Sequence, residues 1–289
     1  MVIDARPLYR ELTAFLEGHA IPDAAFDVRC MFEQVTGERL ELLLDAGIPA
    51  EDENPLRNMA QRRAFGEPLQ YILGEWEFFG LRIFVGKGVL IPRPDTETLV
   101  EAVLDDCRGR TSPRIADLCC GSGCIALALW SQRPDAEILG IDLSEAALAY
   151  ARQNTAFHRA PVQLLQGDVL AAETAQSCGK WDVIVSNPPY LTTFEMGQLQ
   201  TEVRSEPPEA LAGGTDGLDY YRAITELWTP MLADGGLLAY EIGEQQGAAV
   251  ADLLRAHGYI QVRILRDLAK HDRVVLGLRP GAARSQGGA

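Results

Sequence analysis

Apolar positions in the first part of the chain recur at helical spacing and stop at glycines. Leu8, Leu12, Phe15 and Leu16 form one stripe, and Gly18 follows. A second stripe begins after Pro22 with Phe26, Met31, Phe32 and Val35 and ends at Gly37. A third runs from Glu38 through Leu40, Leu43 and Leu44 to Gly47, and a fourth carries Leu56, Met59 and Phe65 before Gly66. Period-3.6 stripes of this kind predict amphipathic helices, and a terminal glycine suits the left-handed cap. Four such helices with short connections predict a small helical bundle over residues 1–73. The pattern then shortens: Trp76, Phe78, Leu81, Ile83 and Val85 partly alternate around Gly80, which predicts a β-hairpin linker at 74–90.

Residues 91–280 read differently. Strands are expected at 114–118, 137–142, 162–167, 181–186, 236–242, 259–265 and 273–278. Helices are expected around Leu99–Leu104 and at 123–132, 144–156, 218–233 and 244–256. This alternation predicts an α/β, doubly wound, mainly parallel sheet covered on both faces. The connection at Ala269–Asp272 is too short for a parallel crossover, so the last strand is expected to be antiparallel. Residues 281–289 are small and polar, as expected of a disordered tail.

Composition narrows the function. Of 289 residues, 47% are hydrophobic and 23% charged, as in ordinary globular proteins. The net charge of −15 argues against a chain that tracks free nucleic acid, since phosphate neutralisation needs clustered Lys and Arg. No apolar run is long enough to span a membrane, and Met1–Glu17 lacks the apolar block of a signal peptide. The six cysteines follow neither a disulfide framework nor a zinc pattern, so no metal is expected and the thiols read as reduced in a cytoplasmic protein.

Two turns carry the chemistry. The first is Asp117-Leu-Cys-Cys-Gly-Ser-Gly-Cys-Ile-Ala, between a strand and a helix. Gly121 and Gly123 permit a tight turn and close backbone approach to a ligand. Asp142 ends the next strand, where a carboxylate can accept from ribose hydroxyls. Asp168 and Val169 end the third, where an acid can accept from an adenine amine while an apolar side chain packs on the ring. Ala126 stands where a dinucleotide fingerprint has its third glycine. The fingerprint tolerates alanine, so a dinucleotide and another adenosyl ligand both stay open.

The second turn is Asn187-Pro-Pro-Tyr, after the fourth strand. Neither proline has an N–H, so the turn offers acceptors without competing donors. The Asn187 side-chain oxygen and the Pro188 carbonyl can both accept from one planar NH2, and the Tyr190 ring can pack on it. A carboxamide or an exocyclic base amine fits. Its delocalised lone pair is a poor nucleophile, so positioning and stabilisation of developing positive charge are what the site must supply.

The cradle and the Asn187–Tyr190 turn resemble class I methyltransferases that methylate amide or amino nitrogens. The wider chain resembles the HemK/PrmC family of protein-(glutamine-N5) methyltransferases. The resemblance rests on Gly66-Glu-Pro-Leu-Gln-Tyr-Ile-Leu-Gly-Glu-Trp-Glu-Phe-Phe-Gly, Leu90-Ile-Pro-Arg-Pro-Asp-Thr-Glu, Asn187-Pro-Pro-Tyr and Glu206-Pro-Pro-Glu-Ala-Leu-Ala-Gly-Gly-Thr-Asp-Gly-Leu-Asp-Tyr-Tyr-Arg. It implies a class I methyltransferase-like sheet and S-adenosylmethionine as co-substrate, held by Cys119, Cys120, Gly121, Ser122, Gly123, Asp142, Asp168, Val169 and Asn187. It implies Asn187, Pro188 and Tyr190 as catalytic residues. Asn187, Pro188, Pro189 and Tyr190 would bind the glutamine of the Gly-Gly-Gln loop of class 1 peptide chain release factors. The N-terminal helices would grip that protein, 91–280 would be the methyltransferase domain, and the Arg93–Glu97 and Glu206–Arg222 stretches would shape the pocket wall. No membrane or free nucleic acid partner is implied, and a monomer is expected.

One departure concerns the cradle: the family usually has Gly where this chain has Cys119, and often Thr in place of Cys120. A positive φ at 119 would strain a cysteine. A catalytic thiol is not expected, since methyl transfer to nitrogen needs no covalent intermediate and no histidine lies nearby in sequence. Three rivals remain. They are a ribosomal-protein glutamine methyltransferase, which typically lacks the Pro-Asp-Thr-Glu after Arg93; a DNA or RNA amino-methyltransferase, disfavoured by charge; and a non-catalytic adenosyl-binding scaffold.

Overall fold

The computed structural model describes residues 1–281, so all of the expected tail except Gly281 lies outside the described residues. The chain divides into two units. One comprises Met1–Trp76, Val85–Lys87 and Gln200–Ser205; the other comprises Glu77–Phe84, Gly88–Leu199 and the described residues from Glu206 onward.

The first unit is helical. A two-residue strand β1 (Val2–Ile3) precedes α1 (Ala5–Gly18), α2 (Ala24–Thr36) and α3 (Leu40–Ala46). Strand β2 (Ile48–Pro49) pairs antiparallel with β1, and α4 (Glu53–Ala64) and α5 (Leu69–Leu73) follow. The expected stripes face inward: Leu8, Leu12, Leu16, Met31, Phe32, Leu40, Leu43 and Leu56 are buried in one cluster. Gly37, Gly47 and Gly66 have positive φ, as expected of helix stops. Gly18 corrects that expectation: it lies inside α1, and the left-handed residue of that connection is Ala20. Phe26 and Phe65 also depart from the stripes, being exposed. α4 buries an ion pair instead, with Arg63 Nε donating to Asp27 Oδ2 at 2.6 Å. Helix α5, β1 and β2 are too short for periodicity to reveal.

The hairpin is present as β3 (Glu75–Phe78) and β4 (Leu81–Phe84). The division between the units falls within β3, so the hairpin is not a separate body.

The second unit runs α6 (Glu97–Cys107), β5 (Arg114–Leu118), α7 (Cys124–Gln132), β6 (Glu137–Asp142), α8 (Glu145–His158) and β7 (Gln163–Gln166). It continues with α9 (Ala172–Ser177), β8 (Trp181–Ser186), α10 (Thr193–Met196), α11 (Asp219–Trp228), β9 (Leu232–Glu241), α12 (Gly247–Ala256), β10 (Ile260–Arg266) and β11 (Asp272–Leu278). All seven expected strands form one sheet, in the order β10-β11-β9-β8-β5-β6-β7. Its pairs are parallel from β9 through β8, β5 and β6 to β7, while β11 is antiparallel to both β9 and β10. Strand β9 starts four residues earlier than expected, because the helix anticipated to 233 gives way at Thr229 to a single 3-10 turn containing Pro230. β5, β6 and β8 are buried almost throughout, and β7, the edge strand, is largely exposed.

Strand order reverses between β5 and β8, which run side by side but diverge in their next connections. A crevice at the carboxyl ends of such a pair is where doubly wound sheets bind ligands. Both chemical turns open there.

Candidate active site

A cavity of about 230 Å³ lies at this edge. It is lined by Cys119, Cys120, Gly121, Ser122, Asp142, Asp168, Val169, Asn187 and Pro189 among the expected residues. Three others do not line it. Gly123 caps α7 in the left-handed conformation, Pro188 is buried, and the Tyr190 ring packs against the main hydrophobic core.

The cradle is set by backbone geometry. Gly121 and Gly123 have φ of 56° and 78°, and the Gly123 N–H donates to the Cys120 carbonyl at 2.8 Å. Cys119 also has positive φ, at 59°. A non-glycine residue there costs on the order of 1–2 kcal/mol, so the strain anticipated for this departure is present. Gly140 on β6 makes room for Cys120: an added Cβ would lie 3.0 Å from its sulfur.

Asp142 ties the loops together. Its Oδ2 accepts from the Gly121 N–H and its Oδ1 from the Ser144 N–H, both at 2.8 Å. Each oxygen keeps a lone pair for a further donor. Burial raises its pKa, and the Ser144 and Gly121 amides oppose that rise. Asp168 Oδ1 accepts from the Leu170 N–H at 2.8 Å. The Val169 carbonyl is held by the Trp228 indole N–H at 2.9 Å, which fixes the Val169 side of the cavity. Asp117 is fully buried beneath the cradle. Its Oδ2 accepts from the Ala126 N–H, while its Oδ1 has no protein partner. Burial pushes its pKa up to about 8.

The thiols are not nucleophiles here. Burial raises the pKa of Cys119 and Cys120 well above the ordinary range and brings Cys124 to about 12, so thiolate is scarce at neutral pH.

The Asn187–Tyr190 turn is held from several sides. Leu191 N–H donates to the Leu211 carbonyl at 2.9 Å, and Gly213 N–H to the Leu191 carbonyl at 2.8 Å. A Cβ on Gly213 would sit 2.7 Å from the Pro189 oxygen, so the glycine-rich stretch lies directly on the turn. Burial pushes the Tyr190 phenol to about 12, which keeps it neutral.

From the two stretches expected to shape the pocket, Arg93 and Thr96 form one wall, and Pro207, Glu209, Ala210 and Tyr220 another. Sequence reasoning missed Gly88–Pro92 beside the first wall, and Leu143, Ser144 and Ala147. Glu206 joins two of these walls, accepting from the Ile91 N–H at 3.1 Å and from the Arg93 guanidinium. Leu143 carried a readable signal: it is an apolar residue directly after a strand-end acid, and it stays 59% exposed.

Carboxylates with spare lone pairs, apolar walls and a glycine turn suit an adenosyl ligand, and the adjoining turn offers an amide acceptor group. Comparison with known proteins adds the family. Residues 94–212 match the methyltransferase small domain, and residues 8–74 match the PrmC N-terminal domain. The release factor glutamine methyltransferase of Caulobacter vibrioides is 41% identical over 270 residues, covering 91% of this chain and 92% of that protein. The one from Moorella thermoacetica is 48% identical over 221 residues, covering 75% and 77%. A methyltransferase structure from Pyrococcus furiosus superposes with a TM-score of 0.53 at 17% identity, covering 70% of this chain and 91% of that one, which shows the shared class I methyltransferase fold. Similarity of this extent, reaching from the helical unit to the sheet, means that the chain belongs to the release factor glutamine methyltransferase family.

Proposed function

We propose that this enzyme transfers a methyl group from S-adenosylmethionine to the side-chain amide nitrogen, N5, of the glutamine in the Gly-Gly-Gln loop of class 1 peptide chain release factors. The observation that carries the reading is that Asn187 and the Cys119–Ser122 cradle line one cavity. S-adenosylmethionine brings a methyl group on a positively charged sulfur, which leaves as a neutral thioether. Asp142 is placed for the ribose hydroxyls, and Leu143 and Val169 for the faces of the adenine. Asp168 is placed for the adenine amine.

The Asn187 oxygen and the Pro188 carbonyl accept from the glutamine NH2. Electron density then concentrates on nitrogen as it attacks the methyl carbon, and the surplus proton leaves to solvent after the bond forms. Positioning and electrostatics supply the acceleration. Tyr190, buried behind the turn, supports its shape, and in our reading its ring edge reaches the acceptor once substrate is bound. The reaction calls for no metal.

Residues 1–73 serve as the release-factor-recognising domain, with 74–90 as linker and 91–280 as the catalytic domain. The enzyme works as a cytoplasmic monomer. No helix among the described residues is long and apolar enough to cross a membrane. A surface of net charge −15 favours a basic protein partner over RNA. The test is mass spectrometry of a release factor after incubation with labelled S-adenosylmethionine. One methylated glutamine in its Gly-Gly-Gln loop is expected. Methylation of a nucleic acid or a ribosomal protein instead would overturn the assignment. Asn187→Ala should fold normally and transfer poorly; an unchanged rate would refute the amide-holding mechanism.

A further inference from the structure

Among the described residues that line the cavity, Arg93 is the only Lys or Arg. The other charged side chains there are the acids Asp142, Asp168 and Glu209. S-adenosylmethionine carries a sulfonium, an ammonium and one carboxylate. The acids suit the two cations and repel the carboxylate, which leaves it Arg93 as a partner.

The chain fixes Arg93 in two ways. It stands between Pro92 and Pro94. A following proline disfavours helical backbone, and Arg93 is extended, with φ of −101° and ψ of 140°. Its side chain is then tied down: Nη2 donates to Glu206 Oε1. Glu206 is 3% exposed, and its Oε2 accepts from the Ile91 N–H at 3.1 Å. Both carboxylate oxygens are thus occupied by the wall that bears Arg93, so Glu206 holds that wall rather than facing the ligand. A guanidinium has five N–H donors in one plane. No second acceptor for them lies among the described residues, and the Arg93 side chain is 36% exposed. Its open edge can take a carboxylate through two parallel bonds.

The order of the strands decides which end of the ligand meets Arg93. From β7 through β6 and β5 to β8, the strand ends present Asp168, Asp142, the Cys119–Ser122 turn and Asn187 in that order. With the adenine at Asp168 and the ribose at Asp142, the amino-acid end runs past the turn toward β8. The Arg93 wall adjoins that end. The Thr96 N–H donates to the Arg93 carbonyl at 3.1 Å, and the Thr96 hydroxyl lies 3.5 Å from the Asn187 side-chain nitrogen.

We propose that Arg93 binds the carboxylate at the methionine end of S-adenosylmethionine, and that Glu206 is the positioning residue that aims its guanidinium. This rests on the reading that S-adenosylmethionine is the co-substrate with its nucleoside at Asp142 and Asp168. The pair gives the pocket a means of telling the intact amino-acid end from one that has lost its carboxylate.

The experiment measures Kd by isothermal titration with the full chain, for S-adenosylmethionine and for decarboxylated S-adenosylmethionine. Hydrogen bonds to a charged group set the scale, so wild type should bind the decarboxylated form about tenfold to a hundredfold more weakly. Arg93→Met should bring S-adenosylmethionine down to the level of the decarboxylated form and leave the latter nearly unchanged. Glu206→Gln should shrink the ratio of the two Kd values, whereas a merely structural loss would raise both alike. A wild type that binds both forms equally would overturn the proposal and leave methyl transfer standing. So would an Arg93→Met that keeps the wild-type ratio. A wild type that binds neither form would instead overturn the co-substrate reading, and the proposal with it. Should Arg93→Met fail to fold because Glu206 is left unpaired, Arg93→Met with Glu206→Gln strands no charge, and a wild-type ratio there would overturn the proposal equally.

Discussion

The side-chain amide of Gln246 donates to the backbone carbonyl of Tyr190 at 2.9 Å. The same nitrogen reaches the Gly217 carbonyl at 3.3 Å, while the amide oxygen accepts from the Gly243 N–H at 3.0 Å. One side chain thus joins the catalytic turn, the glycine-rich stretch and the start of α12. Gln246→Leu leaves several buried groups unpaired. It should cost about 1–3 kcal/mol of stability by denaturant titration and reduce kcat more than it weakens S-adenosylmethionine binding. A variant with wild-type kcat would show that the clamp does not position the turn.

Gly213 is a second support, and it acts by absence. A Cβ there would lie 2.7 Å from both the Pro189 oxygen and the Tyr190 Cα, and 2.9 Å from the Tyr190 carbonyl carbon. These are backbone atoms, which cannot rotate aside. Gly213→Ala should displace the turn and lower kcat by about a hundredfold, with isothermal titration still reporting co-substrate binding. Retained activity would mean that the turn tolerates displacement.

Asp142 accepts from two backbone amides and still has capacity for ribose hydroxyls. Asp142→Asn turns one acceptor oxygen into a donor that must oppose an N–H. Losing hydrogen bonds to a charged group costs about 1.5–3 kcal/mol each, so the Kd for S-adenosylmethionine should rise by roughly tenfold to a hundredfold. An unchanged Kd would remove Asp142 from the binding site.

Cys119 has φ of 59° and lines the cavity. Cys119→Gly relieves a strain of about 1–2 kcal/mol and gives back part of it as chain entropy in the unfolded state. The expected result is a small rise in thermal midpoint with activity retained. A loss of activity would assign the thiol a contact with the co-substrate.

The buried pair in the helical unit gives a stability prediction. Arg63 and Asp27 have side chains 5% and 7% exposed, and Arg63 also meets Glu202 at 2.8 Å. Arg63→Ala strands a buried carboxylate and should cost about 3–5 kcal/mol. Asp27→Leu combined with Arg63→Met should recover most of that loss in a denaturant titration. A single variant as stable as wild type would contradict the pairing.

The strands and the two chemical turns were legible because each is a local signal: an apolar run, a glycine pair, a strand-end acid, two prolines. The sheet's antiparallel ending followed from one short connection. What stayed hidden acts through space. Gln246 is unremarkable in its own neighbourhood, and its role depends on the turn after β8 and the glycine-rich stretch that meet its amide. Tyr190 was legible as part of the turn, but its burial against the core depends on residues some fifty positions downstream, such as Gln246. The short helices α9 and α10 escaped because six- and four-residue segments show no period.

The placement of β11 bears on the order in which the molecule is assembled. β11 follows β10 in the chain yet lies between β10 and β9 in the sheet. The sheet therefore cannot grow by adding strands in sequence, because β10 has no neighbour to join until β11 exists. The two strands can pair with each other first as a hairpin, a fast local event, and then dock together on the open edge of β9. That docking sets Val274 beside Glu241 and brings up Arg273. An intermediate can hold the whole nucleoside cradle on the parallel strands and still lack the strand that covers β9, whose end lies beside the Asn187–Tyr190 turn. During folding, the ability to bind a co-substrate is expected to appear before the ability to use it.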